Sequence, residues 1–94
     1  MKTLLKNEVL PLGQVVVTRN AHETLSSFDI NMALGRHQNY DWGEVCAEDW
    51  RTNNEAVFKG LRVLSVYRTD AGEKFWIITE SDRSVTTVLL PEDY

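Results

Sequence analysis

The last third of the chain most constrains its fold. Three short runs, 62–68 (RVLSVYR), 74–79 (KFWIIT) and 84–90 (SVTTVLL), are dense in β-branched and aromatic residues. Turn chemistry separates them. The segment 69–73 (TDAGE) carries Gly72, which can take positive φ, and Ser81-Asp82-Arg83 makes a second turn. The spacing predicts a three-stranded antiparallel meander. Alternation sets Leu64 and Val66 against Val63, Ser65 and Tyr67, and Phe75 and Ile77 against Trp76 and Ile78. The middle strand is thus apolar on both faces, as a covered central strand would be. On the last strand, Val85, Thr87 and Leu89 oppose Ser84, Thr86, Val88 and Leu90.

Upstream, 13–19 (GQVVVTR) reads as a short strand with Val15 and Val17 on one face. Asn20, with Glu23 three residues later, forms a capping-box pattern for a short helix through Ser27. Asp29 is placed to cap a second helical segment, in which Ile30 and Leu34 share a face and Gly35 marks the end. The polar, aperiodic run 36–44 (RHQNYDWGE) reads as a loop. Residues 47–59 form the strongest helix pattern, with Glu48 and Asp49 near its N-terminus, Lys59 near its C-terminus and Gly60 just beyond. Trp50, Val57 and Leu61 follow its apolar stripe, Phe58 widens it, and Asn54 falls on it. An inward amide there is expected to bond the backbone of the 36–43 loop. Trp50 and Trp76 are expected in the core.

These elements predict an α+β fold: one two-layer domain at 13–94, with the short N-terminal strand and the helical segments packed on a mostly antiparallel sheet. The position of the first strand in that sheet is left open. Residues 1–12 read as a loosely ordered arm closed by Pro11.

Ninety-four residues make one domain, and an apolar fraction of 43% with 26% charged residues is that of an ordinary globular chain. The single cysteine, Cys46, excludes an internal disulfide and a cysteine-rich zinc site. No apolar run nears the roughly 20 residues that span a bilayer. In the opening MKTLLKNEVLPLG, Lys6, Asn7 and Glu8 break the apolar stretch short of a signal peptide, so the expected location is cytoplasmic. A net charge of −4, with ten scattered basic residues, disfavours nucleic acid as the main partner.

The segments LGQVVVT (12–18), RHQNYDWGEV (36–45), EDWRTNNEA (48–56) and WIITESDRSVTTVLLPEDY (76–94) together resemble a family of small bacterial proteins encoded on plasmids and integrative elements. The resemblance runs from Leu12 onward and is most specific at the C-terminal segment. It implies a bacterial, cytoplasmic, mobile-element setting and carries no activity with it. In that family the position of Cys46 is often acidic or small and polar, which makes a nucleophilic role for this cysteine unexpected.

His37 invites a chemical role because Arg36 is beside it and polar and aromatic residues follow. An imidazole for general acid–base work and a guanidinium for a phosphate are what phosphodiester chemistry requires. The competing reading has His37 at a helix C-terminus, where an imidazolium is favoured by the dipole. Arg83, Ser84 and Thr86 are the late-strand residues that could face His37 across a cleft, a layout analogous to small barnase-like and colicin-like ribonucleases. For binding, the candidates are Tyr40, Asp41 and Trp42 in the loop and Asp82 and Arg83 in the turn. Trp42 is read either as a stacking ring or as a lid over the core edge. The bland reading of Asp82 and Arg83 is a pair across their turn.

The acidic residues Asp41, Glu44, Glu48, Asp49 and Glu55 could chelate a cation but read more simply as a solvated face. His37 with Asp41 and Glu44 lacks a second well-spaced histidine or a cysteine pair for metal. No cofactor motif occurs, and there is no nucleophile elbow or phosphate loop. Two functions remain: a non-enzymatic accessory protein that binds another protein, and a small ribonuclease-type toxin.

Overall fold

Strand-forming residues at period two and well-capped helices give the order β1 (Gln14–Val17), α1 (Arg19–Thr24), α2 (Ser27–Gln38), α3 (Ala47–Lys59), β2 (Val63–Arg68), β3 (Lys74–Thr79) and β4 (Val85–Leu89). A 3₁₀ turn, Pro91–Asp93, follows. The computed structural model describes residues 8–94. Its sheet is mixed, in the order β1-β4-β3-β2. The meander β2–β3–β4 is antiparallel, and β1 joins it parallel to β4, with Gln14 beside Val85 and Val17 beside Val88.

One sheet face is covered by α1 and α2. Ala21, Leu25, Ile30 and Ala33 pack there against Tyr67, Phe75, Ile77 and Val88. A second cluster joins Leu10, Trp42, Ala56, Val57 and Val63, and brings α3 to the end of β2. On the opposite face the segment after β4 folds back. The Asp93 carboxylate accepts from the Thr18 hydroxyl and the Asn20 amide, both at 2.7 Å, and the Tyr94 ring meets Trp76 edge-on at 5.4 Å.

The local start and stop signals differ from the expected ones in instructive ways. Thr18, not Asn20, caps α1, its hydroxyl accepting from the Ala21 N–H at 3.2 Å. That leaves the Asn20 amide for Asp93, and α1 ends at Thr24. Ser26, not Asp29, caps α2. The helix runs on through Gly35, so Arg36, His37 and Gln38 form its last turn instead of opening a loop. One glycine costs a helix only about 1 kcal/mol, less than the burial of His37 and the Arg36–Asp41 bonds can offset.

The α3 bounds are as expected, with Gly60 at φ 70° ending the helix. Its inner stripe is rotated by one residue: Asn53, Ala56 and Val57 are buried, while Asn54, Phe58 and Leu61 are exposed. The physical reason is Asn53, whose amide donates to the Leu64 carbonyl at 2.8 Å and accepts from the Leu64 N–H at 3.4 Å. Those two bonds fix the rotation of α3 against β2. Trp50 and Trp76 are half-buried, and Trp42 takes the core place instead, with no exposed surface.

Part of the arm is packed. Leu10 is fully buried, its N–H bonds the Gln38 carbonyl at 2.9 Å, and the Glu8 carbonyl accepts from the Tyr40 hydroxyl. Residues 1–7 of that expected arm lie outside the described residues.

Candidate functional site

Three polar strand residues point into the helix-covered side of the sheet and meet His37. Ser65 on β2, Thr79 on β3 and Thr86 on β4 are all fully buried, and so is His37. The ring nitrogens contact two of them: Nδ1 lies 2.6 Å from Ser65 Oγ, and Nε2 lies 2.8 Å from Thr79 Oγ1. Thr79 Oγ1 is 2.7 Å from Thr86 Oγ1, and the Thr86 hydroxyl donates to the Leu12 carbonyl at 2.7 Å.

The last bond orders the protons in the whole chain. A carbonyl can only accept, so the single Thr86 hydrogen is committed to Leu12. Thr79 must then donate to Thr86. With its one hydrogen spent, Thr79 can only accept from His37, which places the imidazole proton on Nε2. Nδ1 is left as an acceptor for the Ser65 hydroxyl. The structure thus specifies one neutral tautomer. Burial, helped by the positive field of Arg83, lowers the His37 pKa to about 4. An imidazolium at a helix end is therefore not what this histidine provides, although it does sit in the last turn of α2.

The other loop residues form a brace around the same ring. Trp42 packs edge-on to His37 at 5.5 Å and stacks on Tyr40 at 5.8 Å. Its indole N–H donates to Asn54 Oδ1 at 2.9 Å, so Asn54 does hold the loop, but through a side chain and from an exposed position. Arg36 grips Asp41 through two bonds of 2.9 and 3.3 Å, and this holds the Asp41 carboxyl below its usual range. The Asp41 carbonyl accepts from the Tyr67 hydroxyl at 2.7 Å. Gly43, at φ 75°, lies against β2 so closely that a Cβ would overlap the Val66 carbonyl. This lets the Trp42 carbonyl and the Glu44 N–H bond Val66.

The late-strand candidates separate. Thr86 reaches His37 only through Thr79. Ser84 is exposed and bonds Asp82 Oδ1 through both its N–H and its hydroxyl, at 3.0 and 2.7 Å. Asp82 therefore closes its own turn and does not pair with Arg83, and the Ser84 hydroxyl hydrogen bond lowers its pKa. Arg83 adopts φ 62° and extends to α3, donating to the Leu61 carbonyl at 2.8 Å and the Ala56 carbonyl at 3.0 Å. It satisfies carbonyls that the helix end leaves open. Among the described residues, Arg83 is bonded to carbonyls at the end of α3 and Ser84 to Asp82, and neither bonds the imidazole.

Ser65 and Thr79 had a signal in the sequence. Each occupies the inward register of a strand whose other inward residues are apolar. A second signal lies on α2, where Phe28 and Met32 stand opposite the Ile30–Leu34 face. They are 71% and 56% exposed, one helical turn apart. Beside them runs a cleft of about 200 Å³ bounded by Arg36, Tyr67, Arg68 and Asp70. Its two arginines are already paired, Arg36 with Asp41 and Arg68 with Glu44.

No protein-family model, curated protein or solved structure matches the chain. Among the described residues, no helix is long and apolar enough to cross a membrane, and no group of three or more His, Cys, Asp or Glu is arranged to hold a metal ion.

Proposed function

We propose that this chain works by binding another protein, without catalysis, as an accessory protein of a bacterial mobile element acting in the cytoplasm. The observation that carries the binding reading is the Phe28–Met32 pair. An isolated exposed apolar residue needs no explanation, but an aromatic ring and a thioether adjacent on one helix face form a patch. Phenylalanine supplies rigid contact area, and methionine adapts to the shape opposite it. The neighbouring arginines are neutralised by their own carboxylates, so the patch favours an apolar side chain of a partner over an anion.

The chemistry-bearing residues support the same reading from the other side. His37 has no exposed atom and both its nitrogens are engaged, while the Arg83 guanidinium is spent on carbonyls. A ribonuclease needs that imidazole at a phosphodiester. The mobile-element and cytoplasmic setting rests on the resemblance of the sequence, and the acidic net charge favours protein over nucleic acid as the partner.

The test is to immobilise the full chain and the Phe28→Asp/Met32→Asp variant and compare what each retains from a bacterial extract. The reading expects a discrete protein retained by the wild type and lost by the variant. Both changes are at exposed sites, so the melting temperature should stay within a few degrees. Equal retention by both, or turnover of RNA by the purified wild type, would overturn it.

A further inference from the structure

The two edges of the sheet are treated differently. On the outer edge of β2, Leu64 is closed by the Asn53 amide and Val66 by the Trp42 carbonyl and the Glu44 N–H. The edge of β1 has no such cover among the described residues. The Gln14 and Thr18 N–H groups bond Ser84 and Val88 of the β4 side. Alternation therefore turns the N–H and C=O of Val15 and Val17 outward. The strand, Gln-Val-Val-Val, has no proline, charge or bulge to blunt that edge, and Val15 and Val16 are 41% and 40% exposed.

From this geometry we infer that β1 pairs antiparallel with β1 of a second copy of the chain, about a two-fold axis through Val16. The register follows from which groups face out. Val15 opposes Val17 of the other copy, and both residues exchange N–H and C=O, which gives four bonds across the axis. Val16 then faces its own equivalent in the close, non-hydrogen-bonded position, and the valines of the two strands meet as β-branched cross-strand pairs. Self-pairing is favoured over another strand because the register is isologous and the strand carries no charge. The nearest charge, Arg19, is exposed and begins α1. In this register the two copies hold it at opposite ends of the ladder, roughly 20 Å apart at strand rise. The result is a continuous eight-stranded sheet with the Phe28–Met32 patches left free. The short ladder makes the dimer a reversible one.

Sedimentation of the full chain over a wide concentration range reads this directly. The expected wild-type result is a concentration-dependent rise to twice the monomer mass, with Val16→Lys remaining monomeric because it sets like charges together on the axis. Hydrogen exchange of the wild type gives a readout that no variant can confuse. The Val15 and Val17 amides should gain protection as concentration rises, together with the mass. A disulfide should also trap the dimer of Val16→Cys in a Cys46→Ser background under mild oxidation. A wild type that stays monomeric, protection of those two amides that is independent of concentration, or unchanged dimerisation of Val16→Lys would each overturn the inference.

Discussion

The His37 imidazole and the Thr79 hydroxyl, 2.8 Å apart, are joined in one direction only, with Nε2 donating and Oγ1 accepting. The direction is imposed from two bonds away, where Thr86 has given its only hydrogen to the Leu12 carbonyl. One chain of bonds thus links the segment before β1, three strands and the last turn of α2. A buried polar network of this kind is costly to leave half-made and fixes one arrangement when complete. No buried side-chain nitrogen or oxygen is left without a partner among the described residues.

Acid should therefore loosen the fold before the carboxylates titrate. His37 is pushed down to about 4 in the folded protein against 6.5 in an unfolded chain. As pH falls through that window the unfolded state takes up the proton and the folded state does not. Stability is complete above about 6.5 and declines toward 4, by roughly 3 kcal/mol in total. Urea unfolding at a series of pH values from 7 to 5 checks this. His37→Gln should flatten the slope in that range while lowering stability at neutral pH.

The adjacent amides of α3 should respond unequally. Asn53→Leu strands the Leu64 N–H and C=O at a half-covered edge and should cost roughly 1–3 kcal/mol. Asn54→Leu orphans one donor, the indole N–H of the buried Trp42, instead of two backbone groups, and should cost less, about 1 kcal/mol at the lower end of that range. Denaturant midpoints of the two variants decide it. Equal costs would mean that α3 is not set by Asn53.

This pair also shows where the sequence stops being legible. Asn53 and Asn54 are identical neighbours, and a stripe drawn through Trp50, Val57 and Leu61 passes one residue from the true inner face. Only the tertiary partner, the backbone of Leu64, distinguishes them. The meander was readable to within a residue at each end because period-two alternation and turn residues are local. The parallel docking of β1 on β4 was not, since it joins residues some 70 positions apart and leaves no local mark. The last turn of α2 was hidden for another reason: its inward residue is a histidine, which reads as polar loop until Ser65 and Thr79 are known to face it. The sequence likewise put His37, Arg83, Ser84 and Thr86 on one list but could not show that only His37 and Thr86 share a network.

Two glycines should behave oppositely. Gly43→Ala places a Cβ against the Val66 carbonyl at φ 75°, and should cost about 2 kcal/mol or more by forcing 42–44 off the edge of β2. Gly35 lies inside α2 with open space around its Cβ position, so Gly35→Ala should stabilise by about 0.5–1 kcal/mol. Thermal unfolding of both variants is sufficient to compare them.

His37 is a neutral, proton-ordered brace and not an accessible acid or base. Long-range proton–nitrogen correlation spectra of the imidazole, followed through a pH titration, read both its tautomer and its charge. The expected result is the Nε2–H tautomer at pH 7, persisting without protonation to below pH 5. An Nδ1–H tautomer, or an imidazole that takes up its proton between pH 6 and 7, would contradict it.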